Sequence, residues 1–184
     1  MITKNDTVGF DNDIDELLYK TAAGDKEALG DLYTKTREAV YGFVLSIVRN
    51  VHTAEDVMQE TYIKIYTSAP AYISQKKPMA WVLTISRNLA LMKLREKTVQ
   101  DFSPEFDMRD ESGESSFQRS LDRHVLNTAL SILSEEERQI IILHDVSGMK
   151  HRETAKILEL PLATVLSKYQ RALLKLRKHL KELV

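Results

Sequence analysis

The sequence predicts an all-α protein: two small helical domains joined by a flexible acidic linker, the C-terminal one a helix-turn-helix. Three observations predict it. Apolar residues recur at three- to four-residue spacing along most of residues 13–97, and no useful length alternates with period two. Residues 100–120 (QDFSPEFDMRDESGESSFQRS) abandon that spacing for Pro104, Gly113, nearby serines and a cluster of acids, the composition of a solvated tether. Beyond it come a short helical segment, a tight turn and a longer helix, in helix-turn-helix order. The predicted division is 1–99, 100–121 and 122–184.

The elements follow in order. A first helix over 13–23 carries Ile14, Leu17 and Leu18 on one face and stops at Gly24. Asp25 or a neighbour caps a second over 26–49, where Leu29, Leu32, Tyr33, Val40, Phe43, Val44 and Ile47 keep helical spacing. The third, over 52–66 (HTAEDVMQETYIKIY), starts at Thr53 as N-cap, with Asp56 in the first turn, and ends by Pro70. Its apolar stripe is Val57, Met58, Tyr62, Ile65 and Tyr66. After a loop over 71–77, Pro78 suits a helix start and a fourth helix runs over 79–97. Within the tether Phe102, Phe106 and Phe117 stand out, as partner anchors or as residues packing back on their own domain. Periodicity resumes at Leu121, with Leu126, Ala129, Leu130 and Leu133 in one stripe. Ser134 and Glu137 form a capping box for a helix over 135–146, and Ser147 with Gly148 turns the chain. A short helix over 150–158 places Thr154, Ala155 and Leu158 inward. Leu160 and Pro161 make the bend, and a final helix runs over 163–183. The usual turn glycine is absent: Glu159 stands in its place.

Composition narrows the function. A charged fraction of 29% with 43% hydrophobic residues is that of a soluble globular protein. Cysteine is absent, which removes disulfides, thiolate metal sites and a cysteine nucleophile and fits a reducing cytoplasm. The first residues are polar and acidic without an apolar signal core, and the apolar stretch near 40–48 is too short to cross a bilayer. A cytoplasmic chain with no membrane insertion of its own is expected. The net charge of −1 hides an uneven distribution. Residues 1–100 balance, 101–122 carry −5 and 123–184 carry +4, so a basic C-terminal unit behind an acidic tether suggests nucleic-acid contact. The five histidines match no metal or nucleophile spacing, and glycine-rich phosphate loops are missing. His144 and Asp145 read as a solvated helix end. No catalytic residue, cofactor or metal site is expected.

Two faces remain. On the third helix Asp56, Gln59, Glu60 and Ile63 fall at i, i+3, i+4 and i+7, a single acidic patch with one exposed aliphatic. It suits docking onto a basic surface, or it is a solvated face with Glu60 paired to Lys64. On the final helix Lys168, Arg171, Lys175, Arg177, Lys178 and Lys181 add six positive charges before the first acid, Glu182. Its dipole accounts for Lys178 and Lys181. It does not account for Ser167, Lys168, Gln170 and Arg171 gathered near the N-terminal end, where such a helix meets a DNA groove.

AEDVMQETYIKIY resembles the core-polymerase-binding helix of bacterial extracytoplasmic-function (ECF) sigma factors, in the sigma-70 family. GMKHRETAKILELPLATVLSKYQRALLKLR is similar to their promoter-binding C-terminal domain, with Glu153, Ala155, Pro161, Thr164, Val165 and Ser167 in order. PMAWVLTISRNLALMKLREK looks like their promoter-melting segment, a tryptophan (Trp81, read as core) starting the helix and Asn88 a few residues on. The likeness spans about residues 13–98 and 123–182. It implies an RNA polymerase sigma factor that binds core polymerase through Asp56, Gln59, Glu60 and Ile63. The minus-ten element would be met by Asn88, with Thr84 and Arg87 beside it, and by the preceding loop, where Tyr72 would stack on a flipped base and Lys76 neutralise phosphate. At the minus-thirty-five element Ser167, Gln170 and Arg171 would face base edges while Arg152, Thr164 and Lys168 hold phosphates. The tether would suit a positively charged template channel, and an anti-sigma factor would sequester the chain. Departures from the family pattern are Lys150 for a small hydroxyl cap, Leu166 for a basic residue, Ala163 for a glycine and Met92 for an acid. Two alternatives stand beside this reading: a helix-turn-helix regulator acting without polymerase, and a helical adaptor with weakened DNA binding.

Overall fold

The computed structural model describes residues 4–100 and 132–182. The chain divides into two compact units, Met1–Asp107 and Met108–Val184. Most of the expected linker, with Phe102, Phe106 and Phe117, lies outside the described residues, as does the stripe of Leu126, Ala129 and Leu130.

The N-terminal unit is built from α1 (Lys4–Ala22), α2 (Lys26–Val48), α3 (Val51–Ser68), a 3-10 turn (Ala69–Ala71) and α4 (Pro78–Gln100). α1 begins well before the expected start. Gly24, at φ +91°, supplies the left-handed turn that ends it. Asp25 then caps α2 as predicted, its Oδ1 accepting the Glu27 and Ala28 N–H at 2.9 and 3.1 Å. α3 departs from expectation at its start. Its N-cap is Asn50, whose Oδ1 accepts both the Thr53 N–H at 2.9 Å and the Thr53 hydroxyl at 2.8 Å. Thr53 is a buried first-turn residue, not the cap. α2 packs on α1, α3 and α4, and α3 on α4. Ile14, Leu18, Leu32, Val40, Phe43, Val44, Val57, Ile65, Met79 and Leu83 are buried between them. Those of α1, α2 and α3 belong to the stripes expected from the sequence, Met79 and Leu83 of α4 join them, and Tyr66 of the expected α3 stripe is exposed; burying each such apolar side chain contributes roughly 1.5–3 kcal/mol.

The C-terminal unit contains α5 (Glu135–Ile141), a π turn (Ile142–Val146), α6 (His151–Leu158) and α7 (Leu162–Glu182). Ser134 and Glu137 form the predicted capping box: Ser134 Oγ accepts the Glu137 N–H at 3.4 Å, and Glu137 Oε2 accepts the Ser134 N–H at 2.9 Å. The helix expected to run to Val146 widens instead at Ile142, where the carbonyl accepts the N–H of Ser147, five residues on. α6 starts on Lys150, which makes no side-chain cap bond; Glu153 Oε2 accepts the Lys150 N–H at 3.0 Å and supplies one half of a capping box. Glu159 does the work of the missing turn glycine at φ +57°, and the Glu159 and Leu160 N–H groups close the end of α6 on Lys156 and Ala155 carbonyls. α7 packs on α5 and α6, with Leu133, Ile141 and Ala172 buried and Tyr169, Leu173 and Leu176 against them.

Candidate functional site

The acidic face of α3 is turned outward by what lies beneath it. Tyr62, on the opposite side, is buried, with its hydroxyl 2.7 Å from Thr36 Oγ1 on α2 and its ring edge-on to Tyr33 at 4.8 Å. Burial pushes this phenol up to about 12 against the Thr36 hydrogen bond, so it stays neutral and locks α3 on α2. Asp56 and Gln59 are therefore exposed, and Ile63 is 65% exposed. Glu60 is half-buried, and its carboxylate lies 3.2 Å from Lys93 Nζ of α4. The expected partner was Lys64, one turn along the same helix. The observed one is 33 residues away and left no local signal. The hydrogen bond and charge of Glu60, then Glu96 at 3.7 Å and Asp56, raise the Lys93 ammonium above its ordinary range. The face is thus two carboxylates, an amide and an aliphatic, with one cation of its own at the edge.

The loop over 72–77 and the start of α4 form the second site. Tyr72 corrects the sequence reading. Its ring is only 7% exposed, packed against Trp81 at 4.8 Å and Tyr19 at 5.8 Å, so neither face is open to a base. Its hydroxyl donates to Asp15 on α1; burial first and that carboxylate second push the phenol far above its usual range. Trp81, expected in the core, is only partly buried. Lys76 is exposed at φ +58°, an uncommon conformation for a lysine. On α4 Thr84 and Asn88 are exposed and one turn apart, Arg87 is half-buried, and Met92 continues the strip at 44% exposure. The Thr84 hydroxyl donates to the Ala80 carbonyl at 2.7 Å, which leaves its lone pairs outward.

The third site is the first half of α7 with the start of α6. Arg152, Ser167, Gln170 and Arg171 are exposed, and Thr164 is half-buried. Ser167 Oγ donates to the Thr164 carbonyl at 3.0 Å, and Arg171 Nε reaches the Ser167 carbonyl at 3.4 Å, so the guanidinium lies along the helix surface and not inward. Lys168 is paired within its own unit. Its ammonium sits 2.5 Å from the Glu136 carboxylate of α5, so in the free chain it is occupied by an acid of its own unit. Lys175 is held likewise, 2.6 Å from Glu137. Two of the six cations on α7 thus fasten the helix to α5. Those left facing outward include Arg171 and Arg177.

One cluster was not legible in the sequence. His144, read as a solvated end, stacks on His151 of α6 with ring centroids 3.9 Å apart, and Tyr169 of α7 meets both edge-on at 4.9 and 4.6 Å. His144 Nδ1 lies 2.6 Å from the Met149 carbonyl and the Tyr169 hydroxyl donates to Asp145 at 3.1 Å. Burial first, then the neighbouring His144, lowers the His151 imidazole below its ordinary value against a smaller opposing pull from Asp145. The three rings join the π turn, α6 and α7. Among the described residues no group of acids and histidines gathers as a metal site, and no helix is long and apolar enough to cross a membrane.

Two segments of the chain match known protein families. Residues 32–99 match the model of Sigma-70 region 2, and residues 123–176 that of Sigma-70, region 4. The chain is 27% identical to the ECF RNA polymerase sigma factor SigK of Mycobacterium tuberculosis (strain ATCC 25618 / H37Rv), over 90% of this chain and 92% of that one. It is also 27% identical to SigK of Mycobacterium ulcerans (strain Agy99), over 92% and 94%. Among solved structures it resembles the sigma factor RpoE in complex with the anti-sigma factor NepR from Bartonella quintana, with a TM-score of 0.63 at 28% identity, over 82% of this chain and 97% of that one. CnrH in complex with the cytosolic domain of CnrY shares the fold, with a TM-score of 0.67 at 21% identity over 92% and 98%.

Proposed function

The chain belongs to the sigma-70 family, of the ECF type, and from that premise we propose a division of labour among its three exposed sites. As an RNA polymerase sigma factor it binds core polymerase and promoter DNA. The core enzyme makes the RNA, and the sigma chain acts by binding and positioning, without a cofactor, in the cytoplasm. Residues 1–99 hold core polymerase and the minus-ten element, 122–184 hold the minus-thirty-five element, and 100–121 tether them.

The observation that carries the docking assignment is the outward α3 face, with Asp56 and Gln59 exposed, Glu60 within reach of solvent and Ile63 projecting beside them. A basic partner surface finds two carboxylates to neutralise, an amide to hydrogen-bond and an apolar contact to bury. Lys93 competes for Glu60, so the partner's cation displaces an internal one there. Promoter opening falls to Asn88, whose exposed amide both donates and accepts, with Thr84 and Arg87 near it on α4 and Lys76 exposed in the preceding loop. Ser167, Gln170 and Arg171 read base edges of the duplex element, each good bidentate contact giving roughly 1–3 kcal/mol of discrimination. Arg152 and Thr164 hold phosphates, and Lys168 does so once it leaves Glu136. An anti-sigma factor is assigned as a further partner from the similar RpoE complex.

The test is reconstitution with core polymerase on a randomised promoter library, with the transcripts sequenced. Specific initiation from a two-element motif is expected, and Asp56→Lys with Glu60→Lys should weaken core binding by about tenfold or more. Unchanged core binding in that variant removes the docking assignment; operator binding without any polymerase-dependent transcript removes the sigma reading itself.

A further inference from the structure

The three rings of the C-terminal unit meet where α7 is seated. α6 packs on both the π turn and α7, and His144, His151 and Tyr169, one from each element, close the junction. His144 is held first. Its Nδ1 lies 2.6 Å from the Met149 carbonyl, which can only accept, so that nitrogen donates. The Met149 N–H in turn donates to the Leu143 carbonyl at 2.9 Å. His151 stacks on this held ring with planes 24° apart, and its Nδ1 is buried without a hydrogen-bond partner. A buried nitrogen with no partner is least costly as a bare lone pair, so the neutral ring keeps its hydrogen on Nε2. An added proton therefore goes to Nδ1. It creates a buried N–H with nothing to accept it and a cation face to face with a second imidazole. The groups facing His151 are His144 and Asp145 from the π turn and Tyr169 from α7. On α6 itself Lys150 and Arg152 flank it, both exposed, and Glu153 caps the Lys150 N–H. On the packed elements only Asp145 favours a cation, and burial with His144 outweighs it.

We propose that the His144–His151 stack is a proton-sensitive seat for α7: with His151 neutral it fixes Tyr169, and with it the bearing of Ser167, Gln170 and Arg171, while a proton on His151 opens the stack and releases the specific duplex contact. Tyr169 sits between Lys168 and Gln170, and a helix turns as one body, so a shift of its ring re-aims all three reading residues. Both histidines act through Tyr169 and are positioning residues. The inference rests on the duplex-reading assignment above and adds its regulation by protons.

Two measurements on the full chain test this. In the first, histidine and backbone-amide resonances are followed by NMR from about pH 8 to about 5. His151 should titrate below about 6.5, the Ser167, Gln170 and Arg171 amides should follow the same midpoint, and His144→Phe should move that midpoint up. In the second, the chain with core polymerase gives the ratio of affinities for a duplex carrying the selected minus-thirty-five element and one with that element scrambled. One proton taken up on release limits the loss to about tenfold per pH unit, so a fall in this ratio of about threefold to tenfold is expected between about pH 7 and 5.5. Affinity for the scrambled duplex should hold or rise, because protonation adds positive charge. In His151→Phe, which keeps a ring but takes up no proton, the ratio should change by less than about twofold over the same range. Acid sensitivity of core polymerase itself would strike wild type and variant alike. Equal losses in the two therefore overturn the proposal, as does a wild-type ratio that ignores pH. Reading-helix amides that do not follow the His151 titration overturn it too, since the stack is then a local contact. Where His151→Phe fails to fold, the midpoint in His144→Phe decides, and an unmoved one refutes the stack as the sensor. A wild-type chain that selects no promoter refutes the sigma reading instead, and the amide titration alone then judges the proton-sensitive seat.

Discussion

Replacing Lys175 by methionine should cost the C-terminal unit more than replacing its partner, Glu137, by glutamine. The Glu137 side chain is 5% exposed, and its Oε2 is shared by the Ser134 N–H at 2.9 Å and Lys175 Nζ at 2.6 Å. Without Lys175 a buried carboxylate keeps one backbone donor. Breaking a buried pair from one side costs roughly 3–5 kcal/mol, but Lys175 is itself 45% exposed, so water enters and about 2–3 kcal/mol is expected. Glu137→Gln keeps an acceptor for the Ser134 cap and releases the lysine to solvent, at about 1 kcal/mol. For a unit of this size the shifts are roughly 10–20 °C and 4–8 °C in melting temperature. Far-UV circular dichroism of the full chain reads them, while Trp81, the single tryptophan, reports the N-terminal unit through its fluorescence.

Acid sharpens this test. Burial pushes Glu137 up, but the Lys175 bond and charge with the Ser134 bonds together hold it below its ordinary value. Its stabilisation is therefore present above the unfolded carboxylate pKa, about 4.3, and lost as pH falls through the lower folded value. In Lys175→Met burial dominates and the sign reverses, so the variant's deficit should shrink as pH drops from 7 toward 4. Equal costs for the two variants, or a pH-independent deficit in Lys175→Met, would refute the reasoning.

Freeing Lys168 through Glu136→Gln should steepen the salt dependence of duplex promoter binding by about one unit of slope as a further cation reaches phosphate; an unchanged slope means that Lys168 never meets DNA. Glu159→Gly relieves a left-handed residue at φ +57° and should raise the stability of the C-terminal unit by roughly 0.5–1 kcal/mol, read as a higher urea midpoint at unchanged m-value. His151 binds its proton less readily folded than unfolded, so its contribution is intact above the unfolded histidine pKa, about 6.5, and falls away at lower pH. His151→Phe, which keeps a ring against His144 and Tyr169, should weaken the loss of C-terminal stability between pH 6.5 and 5.

The sequence by itself determined the helices, most of their caps and which face of each is apolar. Asp25 caps α2, and Ser134 with Glu137 caps α5, because a cap is a bond between residues two or three apart and its chemistry is written locally. The outward placement of Asp56, Gln59 and Ile63 and of Ser167, Gln170 and Arg171 follows for the same reason, since a helix fixes which residues share a face once its buried stripe is known. Local readings failed where a neighbour offered equal chemistry, as when Asn50 took the cap assigned to Thr53, and where the backbone left the helical period, as at the π turn of Ile142. Only the tertiary structure decided that Lys93 covers Glu60, that Glu136 and Glu137 hold two lysines of α7, that Tyr72 is buried on Asp15 and that His144 meets His151. Apart from the two histidines, seven residues apart on different elements, these partners lie 32 to 57 positions apart in the chain. Helical periodicity carries information only across a turn or two, so which acid a given lysine reaches is set by how the helices pack.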